Sequence, residues 1–129
     1  MSFGMLHEIT GTVVRGNRIG RTLGFPTANI PLAGEVSVRD GVYAAQVRVE
    51  GLSCPAMVNI GTRPTVGDGA GRFAEAHLLG FEGDLYGKSV TVILLEYLRA
   101  ERRFASLEAL RCQLAEDRCT VTEYFENGR

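Results

Sequence analysis

Short segments of alternating apolar and polar residues occupy the first three quarters of the chain and predict β-strands. Apolar side chains recur at every second position or in short unbroken runs, which is the period of a strand with a buried face. Glycine-containing turns separate these segments at intervals of roughly ten residues. The segments that we expect to form strands are residues 9–14, 25–30, 41–49, 53–60, 72–81 and 89–98.

After Ser106 the apolar period changes from two to 3.6, which predicts a helix. Ser106 is suited to cap the first turn, and Glu108 lies within that turn, where a carboxylate is favourable. The apolar stripe consists of Leu107, Leu110, Leu114, Val121 and Phe125. We expect a helix over about residues 106–118 and a shorter helical piece to about 126, with core packing as the main role of the stripe.

Six short strands, glycine-rich turns and one terminal helix predict a mainly β fold, a small antiparallel barrel with a C-terminal α-helix. At 129 residues the chain is long enough for one domain with a modest core and too short for two. We therefore expect residues 1–129 to form a single domain, with strands over about 9–98 and helix over about 106–126.

The composition argues against several functional classes. A hydrophobic content of 45% and a charged content of 22% are ordinary for a globular domain. The net charge of −1, with no basic face, argues against a nucleic-acid partner. The sequence contains no run of 18 apolar residues, so we expect no membrane span, and its first residues do not resemble a secretion signal.

The three cysteines, Cys54, Cys112 and Cys119, form no metal-ligand motif. On one continuous helix Cys112 and Cys119 would lie roughly 10 Å apart along the axis, which is too far for a disulfide. Reduced cysteines are typical of a cytoplasmic protein, and we expect that location.

The densest candidate chemistry lies at Pro26-Thr27-Ala28-Asn29. Pro26 directs the chain into extended geometry, so Thr27 and Asn29 share one face of a strand while Ala28 points to the other. Their hydroxyl and amide oxygens are hard, neutral ligands, which suit a Mg²⁺ ion that already carries phosphates and water. From spacing alone, such a Thr/Asn pair more often belongs to an ordinary half-polar strand after a proline turn than to a metal site.

A glycine-rich loop over residues 15–24 precedes this strand. Its backbone N–H groups are suited to wrap phosphates, and Arg18 and Arg21 supply positive charge. The loop is not a Walker site, because the spacing is one residue short and arginine replaces lysine. The structural alternative is a plain flexible hairpin loop.

Glu75 lies in a predicted strand whose residues Phe73, Glu75, His77 and Leu79 share one face, with Ala74, Ala76 and Leu78 on the other. This carboxylate is either a solvated residue at the rim or a partly buried acid with a raised pKa, and position alone favours the rim. We expect His77 to be structural. Upstream, residues 59–67 suggest a long hairpin loop in which Gly61 and Pro64 shape a turn.

Several segments resemble the riboflavin kinase (flavokinase) family. The first is the run Gly-Arg-Thr-Leu-Gly-Phe-Pro-Thr-Ala-Asn-Ile at 20–30, which is similar to the family signature. Asn-Ile-Gly-Thr-Arg-Pro-Thr at 59–65, Glu-Ala-His-Leu-Leu at 75–79 and Gly-Asp-Leu-Tyr-Gly at 83–87 follow in the family's order. The resemblance covers residues 9–125 and implies a six-stranded antiparallel Greek-key barrel with a C-terminal α-helix.

The resemblance implies an ATP-dependent kinase that transfers the γ-phosphate to the 5′-hydroxyl of riboflavin, giving FMN and ADP. Glu75 would be the catalytic general base, and Thr27 and Asn29 would be the metal ligands for Mg²⁺. The implied nucleotide-binding residues are Gly16, Arg18, Gly20, Arg21, Gly24, Pro26, Thr27 and Asn29. The flavin-binding candidates, in the loop after the last strand and in the helix, are Arg99, Glu101 and Leu107.

The alternative function is a non-catalytic flavin-binding barrel, which would have no use for a base and a metal site. Bacterial relatives usually carry an FMN adenylyltransferase domain ahead of this module, and 129 residues leave no room for one. We therefore expect either an excised domain of a longer parent chain or a stand-alone kinase. Gly80 stands where many relatives carry Asp, and Thr120 where many carry Ala.

Overall fold

The computed structural model describes residues 7–14, 27–32, 37–65, 69–80, 83–102 and 104–127, and for residues 63–65, 69–70 and 127 it describes the backbone alone. This part of the chain contains six strands and one helix. The elements are β1 (His7–Thr12), β2 (Thr27–Pro31), β3 (Gly41–Val49), β4 (Leu52–Thr65), β5 (Gly69–Leu78), β6 (Ser89–Arg99) and α1 (Leu107–Asn127).

The six strands form one antiparallel sheet in the order β1-β6-β3-β4-β5-β2. Strands β3, β4 and β5 are consecutive neighbours and β6 returns beside β3, which is the Greek-key arrangement. The outer strands approach each other at an isolated bridge, where the Val14 N–H donates to the Asn29 carbonyl at 2.8 Å. The sheet is therefore curled into a partly closed barrel, and the prediction of a mainly β fold with a C-terminal helix is confirmed.

Alternate residues of the strands form a hydrophobic core on the inner face of this barrel. The core is made of small and branched side chains, most of them fully buried. It includes Ala28, Ile30, Val47, Val58, Ile60, Ala74, Ala76, Val92 and Leu94. The remaining alternate positions face outward, where Met57, Ile93 and Leu95 pack against Leu114 and Val121 of α1. The helix thus covers part of the outer face.

Strand β4 is longer than the sequence suggested, and the predicted turn at Gly61 and Pro64 is wrong. The strand continues to Thr65 and stays paired with β5, with Gly61 opposite Phe73 and Pro64 opposite Ala70. A proline is tolerated here because β3 begins at Gly41, opposite Ile60, so residues 61–65 have a neighbouring strand on one side only.

The turn between β3 and β4 lies in the interval expected between the predicted strands 41–49 and 53–60. Glu50 and Gly51 both have positive φ values, 51° and 82°, as a two-residue turn of the I′ type requires. Val49 and Leu52 close the ladder on either side of it.

Helix α1 begins as expected, but it is not interrupted. Ser106 caps it, since its Oγ accepts a hydrogen bond from the Ala109 N–H at 3.1 Å. The predicted break near residue 118 is wrong, because the buried stripe continues through Asp117 and Val121. Leu107 does not belong to that stripe, since 58% of it is exposed.

Cys54, Cys112 and Cys119 are all free, as predicted, with the last two exposed on α1. No helix within the described residues is long and apolar enough to cross a membrane.

Candidate active site

Five strands carry a continuous row of directly opposed residues, which we call the cross-strand row. Asn29 of β2 lies opposite Glu75 of β5, and Glu75 lies opposite Asn59 of β4. Asn59 in turn lies opposite Val42 of β3, and Val42 opposite Arg99 of β6. Directly opposed residues of an antiparallel sheet project to the same face, so these five side chains line up across the barrel.

The cross-strand row faces outward, toward the side that carries α1. The residues next to it along the strands, Ala28, Ala74 and Val58, belong to the inner core. Thr27 and Asn29 therefore share the outer face while Ala28 points inward, as predicted. Glu75 is likewise on the opposite face from Ala74, as the alternation of β5 predicted.

A second pair of opposed residues lies beside the β2 end of the row. Thr27 faces His77 across the same two strands that pair Asn29 with Glu75. Neighbouring strands lie about 4.8 Å apart and residues i and i+2 about 7 Å apart, so the four side chains occupy a compact patch. A hydroxyl, an amide, a carboxylate and an imidazole thus meet in this patch.

Glu75 is buried in this patch, with only 9% of it exposed, and Asn29 beside it is 8% exposed. The solvated-rim interpretation, which position alone had favoured, is therefore wrong. A buried carboxylate that lies opposite an amide in the ladder suits general-base chemistry toward a bound hydroxyl.

At its other end the row enters a cleft between the sheet and α1. The cleft has a volume of about 40 Å³, enough for more than one water molecule. Polar and apolar side chains share its wall. They include Val42, Asn59, His77, Arg99, Phe104, Leu110 and Asp117.

An ion pair between β6 and α1 shapes this cleft. Arg99 donates from Nε to Oδ1 of Asp117 at 3.0 Å and from Nη2 to Oδ2 at 2.7 Å, a bidentate geometry. Asp117 is only 5% exposed, and Gln113 Nε2 also donates to its Oδ1 at 2.9 Å. The pair ties the end of β6 to the second and third turns of the helix.

The loop between β6 and α1 is held by a further contact. Arg102 donates to Oε1 of Gln113 at 2.9 Å, and its guanidinium lies 5.5 Å from the centre of the Phe104 ring. Gln113 therefore connects Arg102 to Asp117, so the loop and the ion pair form one polar network.

Sequence reasoning missed Asp117, although a signal was present. It lies three residues after Leu114 and four before Val121, which places a charge in the middle of the apolar helical stripe. A charge at such a position is buried and needs a partner, which Arg99 provides.

The other flavin-binding candidates lie at the margins of the cleft. Glu101 is exposed, and its carboxylate occupies the space into which a Cβ on Gly61 would project. Leu107 is exposed at the start of α1 and does not line the cleft. The predicted nucleotide-binding residues Gly16, Arg18, Gly20, Arg21, Gly24 and Pro26 lie outside the described residues.

Thr27 and Asn29 are the residues of this patch best suited to a hard cation. No group of three or more His, Cys, Asp or Glu side chains within the described residues could hold a metal ion. A cation bound here would therefore take two neutral oxygens from the protein and rely on phosphates and water for its other ligands, as Mg²⁺ commonly does.

Comparisons with known proteins identify the family of this arrangement. The family model described as Flavokinase: Riboflavin kinase matches residues 3–125. The bifunctional riboflavin kinase/FMN adenylyltransferase of Escherichia coli strain K12 is 49% identical over 118 residues, which are 91% of this chain and 37% of that protein. The chain thus spans little more than a third of that relative.

Two solved structures share the fold. The riboflavin kinase from Trypanosoma brucei has a TM-score of 0.65 and 27% identity, covering 93% of this chain and 77% of that one. A protein from Streptococcus pneumoniae, described as a macrolide-efflux protein, has a TM-score of 0.75 and 33% identity over 93% of this chain and 38% of its own.

Proposed function

This chain belongs to the riboflavin kinase family, and we propose that it transfers the γ-phosphate of ATP to the 5′-hydroxyl of riboflavin, giving FMN and ADP. The observation that carries the proposal is the position of Glu75. It lies buried between the hard oxygen ligand Asn29 and the cleft that begins at Asn59. A barrel that only bound flavin would need neither the carboxylate nor the ligand pair.

The geometry supports ATP at the β2 end of the cross-strand row and riboflavin at the α1 end. The glycine-rich segment with Arg18 and Arg21 precedes Thr27 in the sequence, and we propose that it supplies positive charge to the phosphates. The cleft lined by Val42, Phe104 and Leu110 offers apolar surface on the other side, and a flavin ring can pack against its mouth. Glu75 lies between the two.

In the proposed reaction, the 5′-oxygen of riboflavin attacks the γ-phosphorus while the bond from that phosphorus to the β,γ-bridging oxygen breaks. The proton of the hydroxyl passes to the Glu75 carboxylate and from there to solvent, so the products are FMN, ADP and a proton. Phosphoryl transfer depends chiefly on positioning and on stabilising charge, so a rigid sheet face suits it.

We assign Mg²⁺ to Thr27 and Asn29, whose oxygens fit the chemistry of that ion. When bound with ATP, the ion neutralises charge on the phosphates. The backbones of Thr27 and Asn29 are anchored by the β2–β5 ladder, which fixes their positions relative to Glu75.

For the flavin we retain Arg99, Glu101 and Leu107 as candidates with different roles. Arg99 contributes directly to the cleft wall, since Asp117 holds its guanidinium there. Glu101 lies in the segment between β6 and α1, Leu107 follows that segment, and both would contact the flavin from the mouth of the cleft.

The E. coli relative is named for both riboflavin kinase and FMN adenylyltransferase activities. We therefore extend the proposal to a kinase module that, in a longer parent chain, is joined to an FMN adenylyltransferase domain. We propose a cytoplasmic location, where ATP is supplied and the three free cysteines stay reduced.

One assay tests the activity directly. The purified 129-residue chain is incubated with riboflavin, ATP and MgCl₂, and the flavins are separated by chromatography. We expect FMN to form in equal amount to ADP, and to be lost when ATP is omitted. Quenching of riboflavin fluorescence without any FMN would instead support the non-catalytic flavin-binding barrel.

A further inference from the structure

Asn59 occupies the centre of the cross-strand row and takes no part in the proposed proton transfer or metal binding. It lies on β4 between Glu75 of β5 and Val42 of β3, and it lines the cleft. Its side-chain oxygen is buried and has no hydrogen-bond partner among the described residues. Within the described part of the chain, this acceptor beside the proposed base therefore has no donor.

An acceptor in this state is uncommon, because leaving a buried polar atom without a hydrogen bond destabilises the folded protein. Asp117, the buried carboxylate of the same cleft, does not share the condition. Asp117 receives hydrogen bonds from Arg99 and Gln113, which accounts for its presence in structural terms. The Asn59 oxygen has no such structural explanation, and the cleft beside it has space for water or for a ligand hydroxyl.

We propose that Asn59 is a further substrate-binding residue, whose amide oxygen accepts a hydrogen bond from a ribityl hydroxyl adjacent to the one that is phosphorylated. The inference rests on the proposed function, since it takes riboflavin as the acceptor substrate. A hydroxyl can replace a bound water at this oxygen without loss of hydrogen bonding.

The register of the sheet supports this choice of hydroxyl. Asn59 is one strand away from Glu75, a spacing of about 4.8 Å, and lies on the side of the cleft. If the 5′-hydroxyl is at Glu75 and the flavin ring packs at the mouth of the cleft, the ribityl chain must cross Asn59. The 4′-hydroxyl is the first group along that path.

The substitution Asn59→Leu tests the inference, because leucine has a similar shape and no acceptor. We expect the dissociation constant of riboflavin, measured by fluorescence quenching, and the KM for riboflavin to rise about tenfold. The kcat should stay within about threefold, since the interaction is made equally in the ground state and the transition state. The melting temperature of the ligand-free chain should stay the same or rise, because an unpaired buried acceptor is removed.

Gln46→Leu is the matched control. Gln46 lies on β3, on the same outer face, opposite Pro55 and Ile93 and outside the cleft. The same amide-to-leucine change there should leave riboflavin binding unchanged.

A substrate analogue isolates the hydrogen bond itself. With 4′-deoxyriboflavin the wild-type chain should lose about tenfold in kcat/KM relative to riboflavin, whereas Asn59→Leu should treat the two flavins alike within about threefold. Discrimination that persists unchanged in Asn59→Leu would overturn the inference.

The remaining outcomes separate this inference from the proposed function. If the wild-type chain makes FMN and Asn59→Leu binds riboflavin normally, Asn59 is not a substrate ligand and the kinase function stands. If the wild-type chain neither makes FMN nor binds riboflavin, both fail together. Should Asn59→Leu not fold, the dissociation constant is measured on Asn59→Ala, where an unchanged value equally rejects the inference.

Discussion

The two faces of the same sheet differ in what their residues do, although they alternate along the same strands. The inner face holds an apolar core that is closed on itself, with Ala28, Val58 and Ala74 fully buried. The outer face, one residue away along each strand, carries Asn29, Asn59 and Glu75. Because the period of a strand is two, one segment of chain can supply both stability and chemistry, and the core then positions the site.

The comparison predicts that substitutions on the outer face change turnover, while substitutions on the inner face change stability. Glu75→Gln is the largest expected effect of the first kind. It keeps the volume and hydrogen bonding of the side chain but removes the proton acceptor, so we expect kcat to fall by about 10²–10⁴. Riboflavin affinity, measured by fluorescence quenching, and the melting temperature should change little.

A turnover within about threefold of wild type would show that Glu75 is not the base. An equal loss of binding and turnover would instead make Glu75 a residue that positions the flavin.

Asn29→Ala should reduce turnover on the order of 10²-fold, because it removes one of the two proposed protein ligands of Mg²⁺. Its signature differs from that of Glu75→Gln: the activity should recover in part when the MgCl₂ concentration is raised. A variant whose Mg²⁺ dependence is the same as that of the wild type would contradict the assignment of this metal ligand.

Ile60→Ala is the corresponding change on the inner face. Ile60 is fully buried in the barrel core, and truncating it to alanine should lower the free energy of unfolding by about 2–5 kcal/mol. The kcat per folded molecule should remain within about twofold of wild type. Urea denaturation measures the free energy of unfolding, and steady-state kinetics on the same preparation measures kcat. A large loss of kcat in folded protein would show that the inner face also contributes directly to turnover.

The sequence predicted the features of the site that depend on the alternation of side chains between the two faces of a strand. The faces of Thr27, Ala28, Asn29 and Glu75 follow from the period of a strand, and the structure confirms them. The extent of β4 did not follow, because Gly61 and Pro64 are typical of turns, and a proline is tolerated in β4 only because β3 begins at Gly41 and leaves residues 61–65 with one neighbouring strand. That is tertiary information, which no local pattern contains.

The burial of Glu75 and the ion pair of Asp117 also depend on what covers the outer face. Glu75 was expected at the rim because its own strand does not reveal what lies above it. Leu107 was expected in the core because it fits the helical period. As the first residue of α1, however, it extends beyond the region where the helix contacts the sheet, and it is exposed.

Two Arg–Asp ion pairs differ in burial, so they test how burial sets the strength of such a pair. Arg99 and Asp117 have side chains 21% and 7% exposed, whereas Arg72 and Asp40 are 29% and 47% exposed. Asp117→Ala leaves a mostly buried guanidinium without its main partner, and we expect the free energy of unfolding to fall by about 2 kcal/mol. Asp40→Ala should cost less than about 1 kcal/mol, because water replaces the exposed carboxylate.

Both variants are compared by urea denaturation, and riboflavin affinity is measured alongside. Because Arg99 lines the cleft, Asp117→Ala should also weaken riboflavin binding, whereas Asp40→Ala should not. Equal effects of the two variants on stability would show that burial does not set the strength of these pairs.

The smallest expected effect on stability concerns Tyr43, whose polar side chain is buried in the inner core. Tyr43 is 3% exposed, its hydroxyl donates to the Arg39 carbonyl at 2.6 Å, and its ring meets Tyr97 edge-on with centres 5.3 Å apart. Burial raises the pKa of Tyr43 above its usual value of 10.0, and the nearby charge of Arg39 offsets part of that rise.

The phenol is therefore ionised more readily in the unfolded chain than in the folded one. Its contribution to stability is fully present below the unfolded pKa of about 10 and is lost as the pH rises through the higher folded pKa. Tyr43→Phe should lower the free energy of unfolding by about 1 kcal/mol at pH 7, through the lost hydrogen bond. Between pH 9 and pH 11 it should lose stability less steeply than the wild type does, as measured by urea midpoints.

Tyr86→Phe, at a side chain that is 51% exposed, is the control and should leave the alkaline slope unchanged. If Tyr43→Phe kept the wild-type slope, Tyr43 would not be the residue that couples stability to alkaline pH, and Tyr124, whose pKa burial also raises, would be tested next by the same substitution.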